Sequence, residues 1–287
     1  MQTHKFVLCR PVGGFNDSLN QIEICWRYCV VSGRRMVLDS QFSGLLDQWG
    51  QYFDVVSEKQ GVILLFSEDM VHLLDQMTCY PRSVQGNIGR YKTQNLPSVG
   101  CVEQRTQERL SFDKLVDYPE QLLVHHQYGG GQLSFSSLSY FSLKPSLGRV
   151  IADLRKVDPS YVSVHVRNTD YQTDYQGLID GVFAQETELD ILLCSDDRGC
   201  KEYARGKFGR RVLSVTDTPD TGGLSLHDNK TLDRVLENTN MLIDLGMLAL
   251  GERFYCSKTK QGLYSGYSVL AHYLHSNKDV LGRWISI

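Results

Sequence analysis

Residues 5–9, Lys-Phe-Val-Leu-Cys, form a short apolar run of β type that stops at Arg10-Pro11-Val12-Gly13-Gly14. From there the period changes. Asn16 or Asp17 can cap a helix whose stripe is Leu19, Ile22, Cys25/Trp26 and Cys29/Val30, running to about residue 31 with Gly33 beyond its end. Residues 36–38 predict a second strand. Strand, glycine turn, helix and strand make a βαβ unit, which favours a parallel sheet. Residues 62–66 predict a further buried strand, followed by Ser67 as the cap of a helix over 68–77. Between 78 and about 103 the pattern dissolves into Pro, Gly and polar residues, predicting a long functional or mobile loop.

The second half is more regular. It predicts a helix from Pro145 to about 156, broken by Asp158-Pro159-Ser160, then a strand over 161–166. Residues 184–189 read as part of a helix, 191–194 as a strand, 196–207 as a helix and 211–213 as a strand. A long helix over 231–250, a strand over 253–256 and a closing helix over 265–274 complete the chain. Repeated alternation of strand and helix is the signature of a doubly wound nucleotide-binding sheet. The expected fold class is α/β, with two Rossmann-like domains, 1–145 and 146–287, facing a cleft.

Composition narrows the function classes. The chain has 287 residues, 41% hydrophobic and 22% charged, an ordinary globular profile. Thirty basic against 33 acidic side chains give a net charge of −3, which argues against a nucleic-acid binder. No apolar run approaches the length of a membrane span, and the stretch before Arg10 is too short for a signal peptide. Eight cysteines contain no CxxC pair, so buried reduced thiols are expected rather than a zinc site or a disulfide framework. The expected location is cytoplasmic.

Chemistry concentrates in Val162-Ser-Val-His165-Val-Arg167-Asn168-Thr-Asp170-Tyr171. Strand alternation delivers His165 and Arg167 to one face, and ligands in open α/β sheets bind beyond the carboxyl ends of strands. Arg167 can therefore clamp a phosphate, or it can form a structural ion pair with Asp170 or Asp174. His125-His126 with the glycines at 129–131 lacks metal-ligand spacing and reads as a strand ending in a turn. No Lys-Ser/Thr follows those glycines, so they form no Walker loop.

Strand-H-x-R-x-x-D-Y resembles the first motif of the fucosyltransferase superfamily, which covers α1,2-, α1,6- and protein O-fucosyltransferases. Three more segments are similar to that family's, in its order. They are Gly13-Gly14-Phe15-Asn16-Asp17-Ser-Leu19-Asn-Gln21, Ile191-Leu-Leu-Cys-Ser195-Asp196-Asp197 and Ser265-Gly266-Tyr267-Ser268-Val-Leu-Ala271, the last preceded by Asn240-Met-Leu-Ile-Asp244. The chain departs from the family where Asn168-Thr169 follows the motif arginine and where Asn16-Asp17 replaces Gly-Asn.

The resemblance implies a GT-B-like glycosyltransferase that moves L-fucose from GDP-fucose to a glycan hydroxyl, by inverting displacement without a metal. It implies donor binding by His165, Arg167, Ser195, Asp196, Asp197, Ser265, Gly266, Tyr267 and Ser268. Gly14, Phe15 and Asn16 fall on the acceptor side, with Asp17 and Arg167 catalytic. No cofactor is expected beyond the nucleotide sugar.

Elementary chemistry accommodates each role beside a plainer one. Ser265 and its neighbours, where a loop enters a helix, can cradle phosphate or simply cap the helix. Asp196 and Asp197 can accept hydrogen bonds from ribose or guanine, or can be first-turn carboxylates. His165 can bind the donor or be a satisfied half-buried histidine, and Asp17 can be a general base or a helix cap. The alternatives are a different nucleotide sugar on the same scaffold, or a non-catalytic nucleotide- or glycan-binding protein. A cytoplasmic enzyme of surface-polysaccharide biosynthesis is the expected context.

Overall fold

The computed structural model describes residues 4–222, 229 and 231–285. The chain divides into two compact units, Met1–Phe141 and Ser142–Ile287.

The first unit opens with β1 (Phe6–Pro11), α1 (Phe15–Ser32) and β2 (Arg35–Leu38). Then come β3 (Phe53–Val55), β4 (Ile63–Leu65), α2 (Met70–Asp75) and β5 (Cys79–Tyr80). A hairpin of β6 (Thr93–Leu96) and β7 (Gly100–Glu103), then β8 (Leu122–Gln127) and α3 (Ser134–Leu138), finish it. Five strands form one sheet in the order β4-β2-β1-β8-β5, and every pair is parallel. Strand alternation sorts the core. Phe6, Leu8, Val37, Leu122 and Val124 pack on one side with Leu74, Met77 and Ile88. Val7, Cys9, Met36 and Leu123 are also buried, as are the α1 stripe residues Leu19, Ile22 and Cys25. Full burial of a side chain such as Ile22 contributes about 2 kcal/mol.

The second unit follows β9 (Phe141–Leu143), which straddles the boundary. It runs α4 (Pro145–Val157), β10 (Tyr161–Val166), α5 (Tyr175–Gln185), β11 (Asp190–Ser195), α6 (Arg198–Phe208) and β12 (Val212–Leu213). It closes with α7 (Arg234–Leu250), β13 (Phe254–Cys256), α8 (Gly266–Ser276) and α9 (Lys278–Ile285). Its sheet, ordered β12-β11-β10-β13, is also wholly parallel. Val162, Val164 and Val166 of β10 join Ile191, Leu193, Ile179, Val182, Cys200 and Ala204 in one core. The alternate positions turn elsewhere: the Tyr161 hydroxyl donates to the Met247 carbonyl of α7 at 2.7 Å, and His165 meets Ser268 of α8.

Four local expectations are corrected. Residues 78–103 are not one loop, because β5 is an edge strand of the main sheet and β6 and β7 pair antiparallel. Two residues of β5 and the exposed face of β6 carry too little apolar pattern to announce a strand. The helix read over 184–189 ends at Gln185, since α5 begins at Tyr175, capped by Asp174, whose carboxylate accepts from Gly177 N–H. The helix after Ser67 begins only at Met70, with Asp69 as its cap residue. The helix starting at 265 is not the closing one, for α9 follows it.

Among the described residues no helix is long and apolar enough to cross a membrane. All eight cysteines are free thiols, seven buried and Cys256 half-buried.

Candidate functional site

In the second unit the carboxyl ends of β10, β11 and β13 carry a dense polar network. Arg167 stands one residue past β10 and is 15% exposed, its Nε on Asp170 at 2.7 Å and its Nη1 on Asp196 at 3.0 Å. Burial alone would lower the pKa of this guanidinium, but Asp196 and Asp170 outweigh it, so the charge is held more firmly than usual. Asp170 is 42% exposed and Asp196 only 5%, so the Asp196 pair is the one shielded from water. The ion-pair partner read as Asp170 or Asp174 is therefore Asp170, joined by Asp196.

Asp196 also accepts from Asn168 N–H at 2.9 Å and from the Thr169 hydroxyl. Asp197 caps α6, accepting from Gly199 N–H at 2.8 Å, and takes the Asn168 side-chain amide at 2.7 Å on its other oxygen. Asn168 in turn accepts from the Thr173 N–H and hydroxyl at 3.1 and 3.0 Å. The Ser195 hydroxyl accepts from Asp197 N–H at 3.1 Å. Asn168 is thus the hub of this loop. Sequence reading missed it because it looks only at residue type after a motif arginine, whereas its role comes from bonding two carboxylates 28 and 29 positions away. Beside this network lies a cavity of about 320 Å³ lined by Asn168, Thr169, Asp196, Asp197, Arg198, Gly199, Glu202, Pro219, Asp220 and Thr221.

His165, Ser265, Gly266, Tyr267 and Ser268 form a second cluster. Ser265 caps α8, its hydroxyl accepting from Ser268 N–H at 3.1 Å, and the buried Ser268 hydroxyl lies 2.7 Å from His165 Nδ1. The Tyr267 ring sits 4.9 Å from the His165 ring, and its hydroxyl donates to the Met241 carbonyl at 2.7 Å. These side chains do not line the cavity. His165 and Arg167, expected on one face, diverge: the first packs on α8 and the second, beyond the strand, turns to β11. Asp244, in the segment ahead of this motif, is half-buried in α7 and accepts from the Thr216 hydroxyl at 2.8 Å. Burial raises its pKa.

The first unit carries the remaining candidates. α1 begins with Gly14 as cap residue, and neither Asn16 nor Asp17 is the cap. Asp17 sits at the third helical position and reaches back, Oδ2 accepting from Gly14 N–H at 3.1 Å. Phe15 is buried against Trp49 and Phe53, ring centroids 5.8 Å from each. It is therefore a core side chain, and an acceptor-side role for it is not what this packing serves. Asn16 Oδ1 accepts from the Ser134 hydroxyl at 2.7 Å.

Among the described residues, no group of three or more His, Cys, Asp or Glu side chains is placed to hold a metal ion. The arrangement can instead offer a fixed guanidinium, a helix N-terminus and several carboxylates to a polar ligand.

Burial also holds three histidines neutral. It pushes His165, His125 and His126 down to about 3, helped by the Arg167 charge at His165 and by Arg10 at His126. Each ordinarily titrates near 6.5, so the unfolded chain takes up protons below that pH while the folded chain does not. Their contribution is complete above about 6.5 and is lost as pH falls toward 3. Tm should decline steadily between pH 7 and 5, above the carboxylate range, and His125→Asn should flatten that slope by one proton. A Tm flat across this interval would show that the histidines are already charged in the native state.

No family model and no curated protein matches the chain. Solved structures do. The NodZ alpha-1,6-fucosyltransferase co-crystallised with GDP matches at TM-score 0.61 and 20% identity, over 94% of this chain and 92% of that one. Fucosyltransferase NodZ from Bradyrhizobium matches at TM-score 0.60 and 19% identity, over 93% and 92%. POFUT1 in complex with GDP matches at TM-score 0.61 and 11% identity, over 96% of both chains. This chain has the α/β fold of the fucosyltransferases NodZ and POFUT1.

Proposed function

We propose that the chain is a glycosyltransferase that moves L-fucose from GDP-fucose to a glycan hydroxyl, by metal-independent inverting displacement. In this reading residues 146–287 are the donor domain and 1–145 the acceptor domain. The observation that carries the reading is Arg167, a nearly dehydrated guanidinium fixed by two carboxylates beyond β10. The neighbours of this fold include NodZ crystals soaked with GDP-fucose, which supports GDP-fucose as the donor.

As the bond from the anomeric carbon to the diphosphate breaks, negative charge grows on the leaving phosphate. A fixed cation and the dipole of a helix N-terminus stabilise that charge without reorganising. Arg167 supplies the cation. Ser265, Gly266, Tyr267 and Ser268, at the start of α8, supply the helix end, with His165 fixing Ser268 from below. The cavity lining offers four carboxylates, Asp196, Asp197, Glu202 and Asp220, so it suits hydroxyl or N–H donors of the nucleoside rather than phosphate. Ser195 acts by holding Asp197. On the acceptor side, with Gly14 and Asn16 around it, Asp17 takes the proton of the attacking hydroxyl. Eight free thiols suit a reducing compartment, so the reading is of a cytoplasmic reaction.

Thermal shift against GDP, UDP and CMP tests the donor. A ligand at 100 times its Kd adds about 2.7 kcal/mol, and GDP should give the largest shift, undiminished by EDTA. Preference for UDP or CMP would replace fucose by another sugar. A shift or turnover lost in EDTA and restored by Mg²⁺ would put a metal on the diphosphate. GDP binding with no sugar transfer would leave a non-catalytic binding protein.

A further inference from the structure

The polar side chains of the first unit converge on the glycine turn after β8. The Gly129 carbonyl accepts two amide donors, Asn20 Nδ2 at 3.1 Å and Gln21 Nε2 at 2.6 Å. With its nitrogen committed there, Gln21 presents Oε1 to His125 Nε2 at 2.8 Å, and both residues are buried. An amide oxygen only accepts, so His125 carries its proton on Nε2, and Nδ1 accepts from the Ser111 hydroxyl at 2.9 Å. The chain Ser111–His125–Gln21–Gly129 therefore has a single donor direction, and it fixes the turn against the start of α1.

The next residue of that turn meets Asp17. A β-carbon placed on Gly130 would lie 2.5 Å from Asp17 Oδ1 and 2.8 Å from Asn16 Nδ2. The other carboxylate oxygen, Oδ2, is the one that accepts from Gly14 N–H, and a β-carbon on Gly13 would lie 2.8 Å from it. The carboxylate is thus confined between two glycine backbones, one at the end of β1 and one at the end of β8. Gly130 is not in the left-handed region, so backbone conformation does not require glycine there. The space a β-carbon would need is taken by the ends of the Asp17 and Asn16 side chains, which would have to move.

We propose that Gly130 is a positioning residue for Asp17: its missing side chain lets the carboxylate hold Gly14 N–H, and Gln21 keeps the turn in that place. The consequence for turnover rests on the reading of Asp17 as the base, whereas the positioning itself does not.

The methyl of Gly130→Ala would meet Oδ1, the end of a rotatable side chain, and turning the carboxylate aside should draw Oδ2 off Gly14 N–H. A carboxylate that loses a hydrogen bond to its charged form titrates at higher pH. The Asp17 carboxyl carbon, followed by ¹³C NMR and assigned by its disappearance in Asp17→Asn, should titrate roughly half to one pH unit higher in Gly130→Ala. Gln21→Leu, which adds no clash at Asp17 but removes the shorter of the two amide bonds to the Gly129 carbonyl and leaves that from Asn20, should move it the same way by less. In turnover of GDP-fucose, Gly130→Ala should lower kcat about 10-fold with donor KM unchanged, and should add nothing in the Asp17→Asn background. Unchanged titration in both variants, or an equal loss with and without Asp17, would overturn the assignment. A shifted titration in a protein that transfers no sugar would leave Gly130 in its role and remove the fucosyltransferase reading instead.

Discussion

Arg167→Ala is expected to lower kcat/KM about 100-fold, on the order of 3 kcal/mol, and to weaken GDP binding at the same time. The guanidinium is fixed by Asp170 at 2.7 Å and Asp196 at 3.0 Å, so in the proposed transfer its charge would need no reorganisation as the diphosphate leaves. The same substitution strips Asp196, 5% exposed, of its cation and leaves it with Asn168 N–H and the Thr169 hydroxyl. A drop in Tm is therefore part of the expected result. Arg167→Lys separates the two effects. It keeps the charge beside Asp196 but loses the planar fork, so it should stay folded and still fall about 10-fold in kcat/KM. Steady-state kinetics, GDP titration and melting curves on both variants decide the matter. If both variants keep wild-type kcat/KM, Arg167 is a structural ion pair and nothing more.

Asp17→Asn should lower turnover about 100-fold or more while GDP affinity stays at the wild-type value. The amide keeps the shape, and its oxygen still accepts from Gly14 N–H, so the entry to α1 survives and Tm should change by little. What disappears is the capacity to take a proton. A pure helix-entry role predicts the opposite pattern, with activity retained and stability slightly reduced. Near-normal turnover of the asparagine variant would send the search for a base to other carboxylates.

Much of this architecture is written in the chain as period. The run over 161–166 alternates cleanly, and β10 spans Tyr161–Val166. The stripe from Leu19 to Cys29 became the buried face of α1, closed by Gly33 at φ 68°. Ser265 was legible because a hydroxyl before a helical run is the commonest way to satisfy the first N–H groups. Failures came where tertiary contacts, not local pattern, fix the element. β5 is two residues long and exists because Cys79 and Tyr80 pair with Leu122 and Leu123. The start of α1 shifted to Phe15 because Gly14 can serve as cap while Asp17 reaches back from inside the helix. At the site, sequence names residue types but not their engagements. Asp196 and Asp197 are committed to Arg167, Asn168 and Gly199, and no spacing rule reports a loop folding back over the next strand's end. The Asn20–Gln21 grip on Gly129 joins residues more than 100 positions apart and was equally invisible.

The strand order has a consequence for how the chain is made. In the first sheet β8, residues Leu122–Gln127, lies between β1 and β5, so an interior strand is the last of the five to leave the ribosome. Until then β1 has only β2 beside it, one edge bare, with Val7, Leu8 and Cys9 unshielded on that side. In the second sheet β10 waits in the same way for β13, residues Phe254–Cys256, more than 80 positions downstream. Long-range parallel pairing closes slowly and leaves sticky edges open meanwhile. A nascent chain of this protein thus passes two intervals, one in each half, in which an unfinished sheet presents an unpaired strand edge.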